Sequence, residues 1–172
     1  MPYGWLALIV PAAPVLCAGF LLLAALHDIA ARTVPNWVAV AVALGGLAAR
    51  LVDGHLLPSL AAAAAAFVVT AFCWRRGWLG GADVKLIAAA TLAVPNGQIG
   101  LFIVAMSFSG SILAILYLVG GRIARAAGRD ARLPRPTNLL ARAARAELWR
   151  LRRGGPLPYA CAIAAGFTFV LF

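Results

Sequence analysis

Six apolar runs divide the chain, at Tyr3–Leu26, Trp37–Ala49, Leu56–Trp74, Val84–Val94, Ile99–Gly121 and Pro156–Phe172. A helix needs about 20 apolar residues to cross a bilayer, or roughly 17 to 25 with tilt. Four of the runs meet that length. The second and fourth do so only if their helices extend into the flanking polar motifs or the bilayer thins around them. Pro95-Asn96-Gly97 is a strong turn signal and splits the long stretch from Val84 to Gly121 into a helical hairpin. The pattern predicts an all-α, polytopic integral membrane protein with about six transmembrane helices, the fourth being the least marked. No internal repeat is strong enough to build on.

Composition agrees with the pattern. Of 172 residues, 64% are hydrophobic and 12% charged, against roughly 25% charged in a soluble domain. A soluble core of this length could not bury so much apolar surface, so the bilayer is the expected solvent. One membrane-embedded domain over residues 1–172 accounts for the chain, with a basic loop at about 122–155. The first run lacks the basic flank of a secretory signal and is expected to stay as a membrane helix. Cys17, Cys73 and Cys161 lie in apolar stretches without a C-x-x-C pair. They read as small core residues, not as metal ligands or disulfide partners, and no metal or other cofactor is expected.

The net charge of +10 raises the question of nucleic acid, but the arginines are not interleaved with base-stacking aromatics. Their distribution reads as a topology signal instead. With the N-terminus outside, Arg32, Arg75, Arg76, Lys85 and the ten arginines from Arg122 to Arg153 fall on the cytoplasmic side, and Arg50 alone falls outside. An excess of Lys and Arg in cytoplasmic loops is the usual determinant of orientation. The basic loop itself admits two readings. Thr137 could cap a helix through Asn138–Arg153, with Leu140, Leu148 and Leu151 near one face and Trp149 at the anionic headgroups; or the loop is a plain stop-transfer linker.

The orientation brings two carboxylates to one face. The chain has five acidic residues; Asp28 closes the first run and Asp83, preceded by Gly80-Gly81-Ala82, opens the fourth. Both run ends are cytoplasmic by parity, so two acids 55 positions apart lie at similar depth. Ala61–Ala66 and Gly45-Gly46 would let helices approach closely. Two carboxylates in one site cannot both ionise cheaply, so one holds a proton while the other stays charged. Such a pair can activate a water with its ionised member and polarise a scissile carbonyl with its protonated one. Gly80 and Gly81 would leave an edge against which an extended peptide can lie.

Structural readings stand beside these. Asp83 occupies a place where an N-cap belongs, so cap and catalyst both remain open for it. Asp28 ends a helix, where its charge opposes the dipole; it needs a partner, either Arg32 or a proton shared with Asp83. Asp53, beside Arg50, reads as a solvated loop residue, as do Asp130 and Glu147. His27 could tune Asp28 or simply mark the boundary, and His55 has no evident partner. Lys85, the only lysine, could stabilise a carboxylate or serve as a flanking topology charge. Pro35-Asn36 reads as the start of the second helix.

Taken together, the motifs resemble those of the prepilin leader peptidases, bacterial membrane aspartic proteases that process type IV pilin precursors. Asp28-Ile29-Ala30-Ala31-Arg32-Thr33-Val34-Pro35-Asn36 is similar to the family's Asp, Arg and Pro-Asn spacing. Gly80-Gly81-Ala82-Asp83-Val84-Lys85-Leu86 is similar to its Gly-x-Gly-Asp-x-Lys-Leu. Gly155-Pro156-Leu157-Pro158-Tyr159-Ala160 resembles its closing segment. The resemblance implies a six-span fold with Asp28 and Asp83 as the catalytic pair at the cytoplasmic face of the bacterial inner membrane, and Gly80, Gly81, Lys85, Arg32, Pro35 and Asn36 shaping the site. It implies a prepilin substrate whose basic leader is cut off beside its apolar helix.

Two departures are local: Ala82 replaces a usual glycine and Ala30 a common arginine. A third is larger. The cysteine-paired cytoplasmic domain of the longer bifunctional members is missing, so N-methylation is not expected, and the chain is similar to the short processing enzymes of tight-adherence (Flp-type) pili. A phosphatidyl-alcohol transferase would need aspartates one helical turn apart, and no acid here has another three or four residues away. A non-enzymatic scaffold or small transporter with a structural Asp pair would tend to hold its acids near the bilayer midplane.

Overall fold

The computed structural model describes residues 6–126, 138, 145–147, 149–151, 153, 155 and 157–171. Among them there is helix and no strand: α1 (Leu6–Ala31), α2 (Asn36–Val52), α3 (Leu56–Arg75), α4 (Gly81–Ala93), α5 (Ile99–Ala126) and α6 (Tyr159–Leu171), with a 3₁₀ turn at Asn96–Gln98. Helical residues also occur between 145 and 153. Each apolar run therefore becomes a helix, and the boundaries move outward where the runs looked short. The fourth begins at Gly81, inside the glycine motif. The Pro95 turn stands where the sequence places it. Thr137, Leu140 and Leu148, and with them the proposed cap of a loop helix, lie outside the described residues, as does Asp130.

Among the described residues, three helices are long and apolar enough to cross a membrane: Ala12–Ala31, Leu56–Arg75 and Asn96–Ala126. The surface of α3 suits lipid. Its one buried residue is polar, Ser59, while Leu57, Val68 and Phe72 are exposed. Such an inside-out distribution makes sense where the surroundings are hydrocarbon.

Close contacts fix the helix directions. Phe20 meets Trp37 edge-on and Cys17 Sγ reaches Val42 O, so α1 and α2 are antiparallel. Trp74 lies at Gly81 and Ser59 Oγ donates to Asn96 Oδ1 at 2.7 Å, which makes α3 and α4 antiparallel. Phe102 packs on Phe167 and Gly110 faces Tyr159, an antiparallel α5–α6 pair. Ala160 N–H reaches Asp28, joining the start of α6 to the end of α1. The helices thus alternate, and one end of the bundle gathers the C-termini of α1, α3 and α5 with the N-termini of α2, α4 and α6.

Short α4 sits at the centre, packed against α2, α3, α6 and α1. Eight of its thirteen residues are buried, which explains why its sequence shows no polar face: a helix surrounded by protein is apolar all round. Glycines permit the tight approaches. A Cβ on Gly46 would lie 2.8 Å from the Ala93 backbone, and one on Gly166 would lie 2.7 Å from Met106 N.

Candidate active site

At the gathered end of the bundle opens a cavity of about 960 Å³ whose lining includes Asp28 and Asp83. Two acids read from separate runs thus share one site, and the charge of Asp28 acts on Asp83. Arg32, Thr33 and Val34 line it from the α1–α2 connection; Gly77 to Gly80 from the α3–α4 connection, with Gly81 and Ala82 at the start of α4; Leu157 and Tyr159 from just before and at the start of α6. Apolar Ile87 and Met106 form part of its wall.

Asp83 is not the helix cap. The N-cap of α4 is Gly80, extended at φ −75° and ψ 145°, and Asp83 stands in the first turn. From there its carboxylate reaches back to the Gly80 backbone amide, as the third helical residue does in a capping box. The geometry accounts for the glycine: a Cβ at Gly80 would lie 2.8 Å from Asp83 Oδ2. A negative charge in the first turn is also favourable with the helix dipole. One residue on, a Cβ at Gly81 would come 3.3 Å from Trp74 Nε1, so the glycine pair lets the helix start close under α3.

Asp28 lies in the last turn of α1 and is buried. Its Oδ2 accepts the Ala160 N–H at 3.3 Å. Arg32 and Arg150 are near enough for their charges to act on it, which offsets the unfavourable dipole of a helix C-terminus. Arg32 itself is turned elsewhere. Its Nη2 donates to Tyr117 Oη at 2.8 Å and to the Glu147 carboxylate, and its backbone takes φ +57°. His27 Nδ1 donates to Thr33 O, bracing the same connection.

Glu147 therefore corrects the sequence reading of a solvated loop residue: it is a half-buried partner of Arg32, with Tyr117 Oη donating to it at 2.8 Å. Asp53 is exposed in the turn after α2, as its sequence reading has it, and pairs at 3.0 Å with Arg50, whose side chain is buried. Of the remaining predicted site residues, Gly80, Gly81 and Arg32 line the cavity. Lys85 and Asn36 meet each other instead, Nζ donating to Oδ1 at 3.0 Å, beside a separate groove between α2, α3 and α4. Pro35 is the N-cap of α2. Cys17 is buried, and Cys73 and Cys161 are partly exposed and unpaired.

Sequence reasoning missed Glu147, Arg150, Tyr117 and Tyr159. A signal existed for the first: Glu147 is the only glutamate in the chain and stands among ten arginines. Tyr117 carries a single polar atom within an apolar run, which no pattern distinguishes. Among the described residues no cluster of His, Cys, Asp and Glu could hold a metal ion. Two acids and a wall of backbone amides and apolar groups can bind an extended peptide and handle one proton and one water.

Neither the curated proteins nor the solved structures yield a match to the chain. The family model described as "Type IV leader peptidase family" matches residues 15–116, more than half of the chain and inclusive of both cavity carboxylates. With its apolar helices and this match, the chain belongs to the type IV leader peptidase family.

Proposed function

We propose that this protein is a membrane-embedded aspartic endopeptidase that removes the basic leader from Flp-type prepilins at the cytoplasmic face of the inner membrane. The observation that carries the reading is the meeting of Asp28 and Asp83, from two helices and 55 positions apart, in one cavity at the bundle end. In this reading the pair holds a single proton. The ionised carboxylate takes a proton from water as the water attacks the scissile carbonyl, and the protonated one donates to the carbonyl oxygen. The roles can alternate between the two residues, because they titrate as a unit. Turnover then falls on either side of the pH range in which the pair holds one proton.

The cytoplasmic assignment is supported by charge. Of the described basic residues, Arg32, Arg75, Arg76, Lys85 and those from Arg122 onward belong to the cavity end, and Arg50 to the other. A pilin precursor would enter with its apolar helix in the bilayer and its basic leader in the cytoplasm, so that the junction lies at the depth of the cavity. Gly80 and Gly81 shape the edge on which the cut segment lies and Arg32 the opposite wall. Lys85, Asn36 and Pro35 hold the start of α2 against α4.

The test is co-expression of the protein with a Flp-type pilin precursor in membranes, with processing read as a gel shift. Wild type is expected to cleave, and Asp28→Asn and Asp83→Asn at matched membrane levels are expected not to. Retained cleavage in either variant would make that residue structural. No cleavage by folded wild type would leave a scaffold or transporter with a structural acid pair.

A further inference from the structure

The helical residues between 145 and 153 lie outside the stretch matched by the family model, yet they grip the turn that carries Asp28. Arg150 Nη1 donates to Ile29 O at 2.7 Å and Nη2 to Ala30 O at 3.1 Å. These are carbonyls of the last turn of α1, which no intrahelical amide can satisfy. Two residues on, Arg32 leaves the helix in the left-handed region at φ +57°, a conformation that residues other than glycine rarely take. Its guanidinium is held by Glu147 and Tyr117. Glu147 Oε2 also lies 3.6 Å from Arg150 Nη1. The segment is seated in its turn on α5, where a Cβ on Gly121 would come 2.9 Å from Leu151 O. One short piece of chain thus holds both the carbonyl edge of the last helical turn and the first residue beyond it.

Neither Glu147 nor Arg150 is among the described residues that line the cavity. We propose that both are positioning residues for Asp28: they clamp the C-terminal turn of α1 so that its carboxylate stays in register with Asp83. The inference rests on the peptidase reading above. A helix end frays unless its orphan carbonyls find donors, and a catalytic pair tolerates little displacement, since a misplacement of about 1 Å can cost on the order of a hundredfold in rate. Arginine suits the task because its planar fork aims two donors in a fixed geometry at the two carbonyls, whereas an ammonium group is a compact point charge on a flexible stem.

The experiment uses the full-length protein in liposomes with a pilin precursor, and measures initial rates against substrate concentration for wild type, Arg150→Ala, Arg150→Lys, Glu147→Gln and Asp28→Asn. Thermal unfolding in the same liposomes reports folding. Arg150→Ala is expected to lower kcat on the order of ten- to a hundredfold while KM stays within about twofold. Millimolar guanidinium, but not the same concentration of sodium chloride, is expected to restore part of that loss. Arg150→Lys and Glu147→Gln should fall between wild type and Arg150→Ala, and they carry the comparison if Arg150→Ala does not fold. Wild-type kcat in these variants would overturn the proposal. So would a loss that follows the folded fraction and does not respond to guanidinium. If wild type cleaves, Asp28→Asn does not, and Arg150→Ala is fully active, this inference alone falls. If wild type does not cleave, or Asp28→Asn does, the peptidase reading falls and takes it along.

Discussion

The two ends of the helix bundle each carry an arginine–carboxylate pair, and the pairs differ in what they connect. At the closed end, Arg50 and Asp53 are three residues apart and finish α2 just before the Gly54 turn. At the cavity end, Arg32 and Glu147 are 115 residues apart and tie the α1–α2 connection to the segment after α5. The closed end otherwise holds Ser59 against Asn96 and a tight glycine contact at Gly46. The cavity end leaves two acids facing open space. Local pairs complete a turn, whereas long-range pairs hold a site open in a defined shape. In a chain with five acids, the position of each carboxylate relative to that space separates structure from chemistry.

The sharpest break between the ends comes from neutralising one acid at each. Asp28→Asn or Asp83→Asn should reduce prepilin cleavage by at least roughly 10²–10⁴-fold, the span that acid–base catalysis supplies. Asp53→Asn should leave kcat unchanged. Quantitative gel-shift rates at matched protein levels measure both, and a comparable loss for Asp53→Asn would erase the distinction.

Gly80→Ala carries the next largest effect. The added Cβ would stand 2.8 Å from Asp83 Oδ2, so the carboxylate must swing off the Gly80 amide or the turn must open. Because the N-cap is extended, with φ in a range open to alanine, the methyl group should cost little folding stability. A fall in kcat on the order of ten- to a hundredfold is expected from the displaced acid alone. Full activity with an unchanged thermal midpoint would show that Asp83 works from a different rotamer.

At the closed end the effect should appear in stability. Arg50→Met removes a buried guanidinium and leaves the exposed Asp53 carboxylate without its cation. A loss of about 1 kcal/mol or less is expected, the worth of an ion pair whose carboxylate can turn to water. Thermal unfolding in detergent would read it, and kcat of the folded fraction should match wild type. A kcat defect without a stability defect would mean the two ends are coupled.

Much of this contrast was legible in the sequence. Apolar runs located α1 to α6 among the described residues, because patterning reports what surrounds each element. Asp28 and Asp83 stood out because acids are costly beside hydrocarbon and need a reason to be there. Gly45-Gly46 marked a close helix approach, which Gly46 makes against Ala93 of α4. What patterning could not carry was the identity of long-range polar partners. Nothing in Arg145 to Arg153 says which side chain turns back to Ile29 and Ala30, since any of several arginines satisfies the same composition. The N-cap of α4 was misplaced for a related reason. A glycine and an aspartate can both open a helix, and only the backbone shows that the aspartate sits one turn in, reaching back.

Lys85 gives the smallest and most discriminating expectation. Sequence left it open as a stabiliser of a carboxylate or as a flanking charge, and the structure turns its Nζ to Asn36 Oδ1 at 3.0 Å, in an exposed position outside the cavity lining. An exposed hydrogen bond of this kind contributes roughly 1 kcal/mol. Lys85→Met should accordingly change cleavage by no more than about fivefold, the rate equivalent of that energy. Asn36→Ala should reproduce the change, and the double variant should add nothing further, because both single changes remove the same contact. A much larger effect confined to Lys85→Met would mean that the ammonium leaves Asn36 and works on the acid pair when substrate is bound. The lysine would then belong with the cavity end's chemistry and not with the packing of α2 on α4.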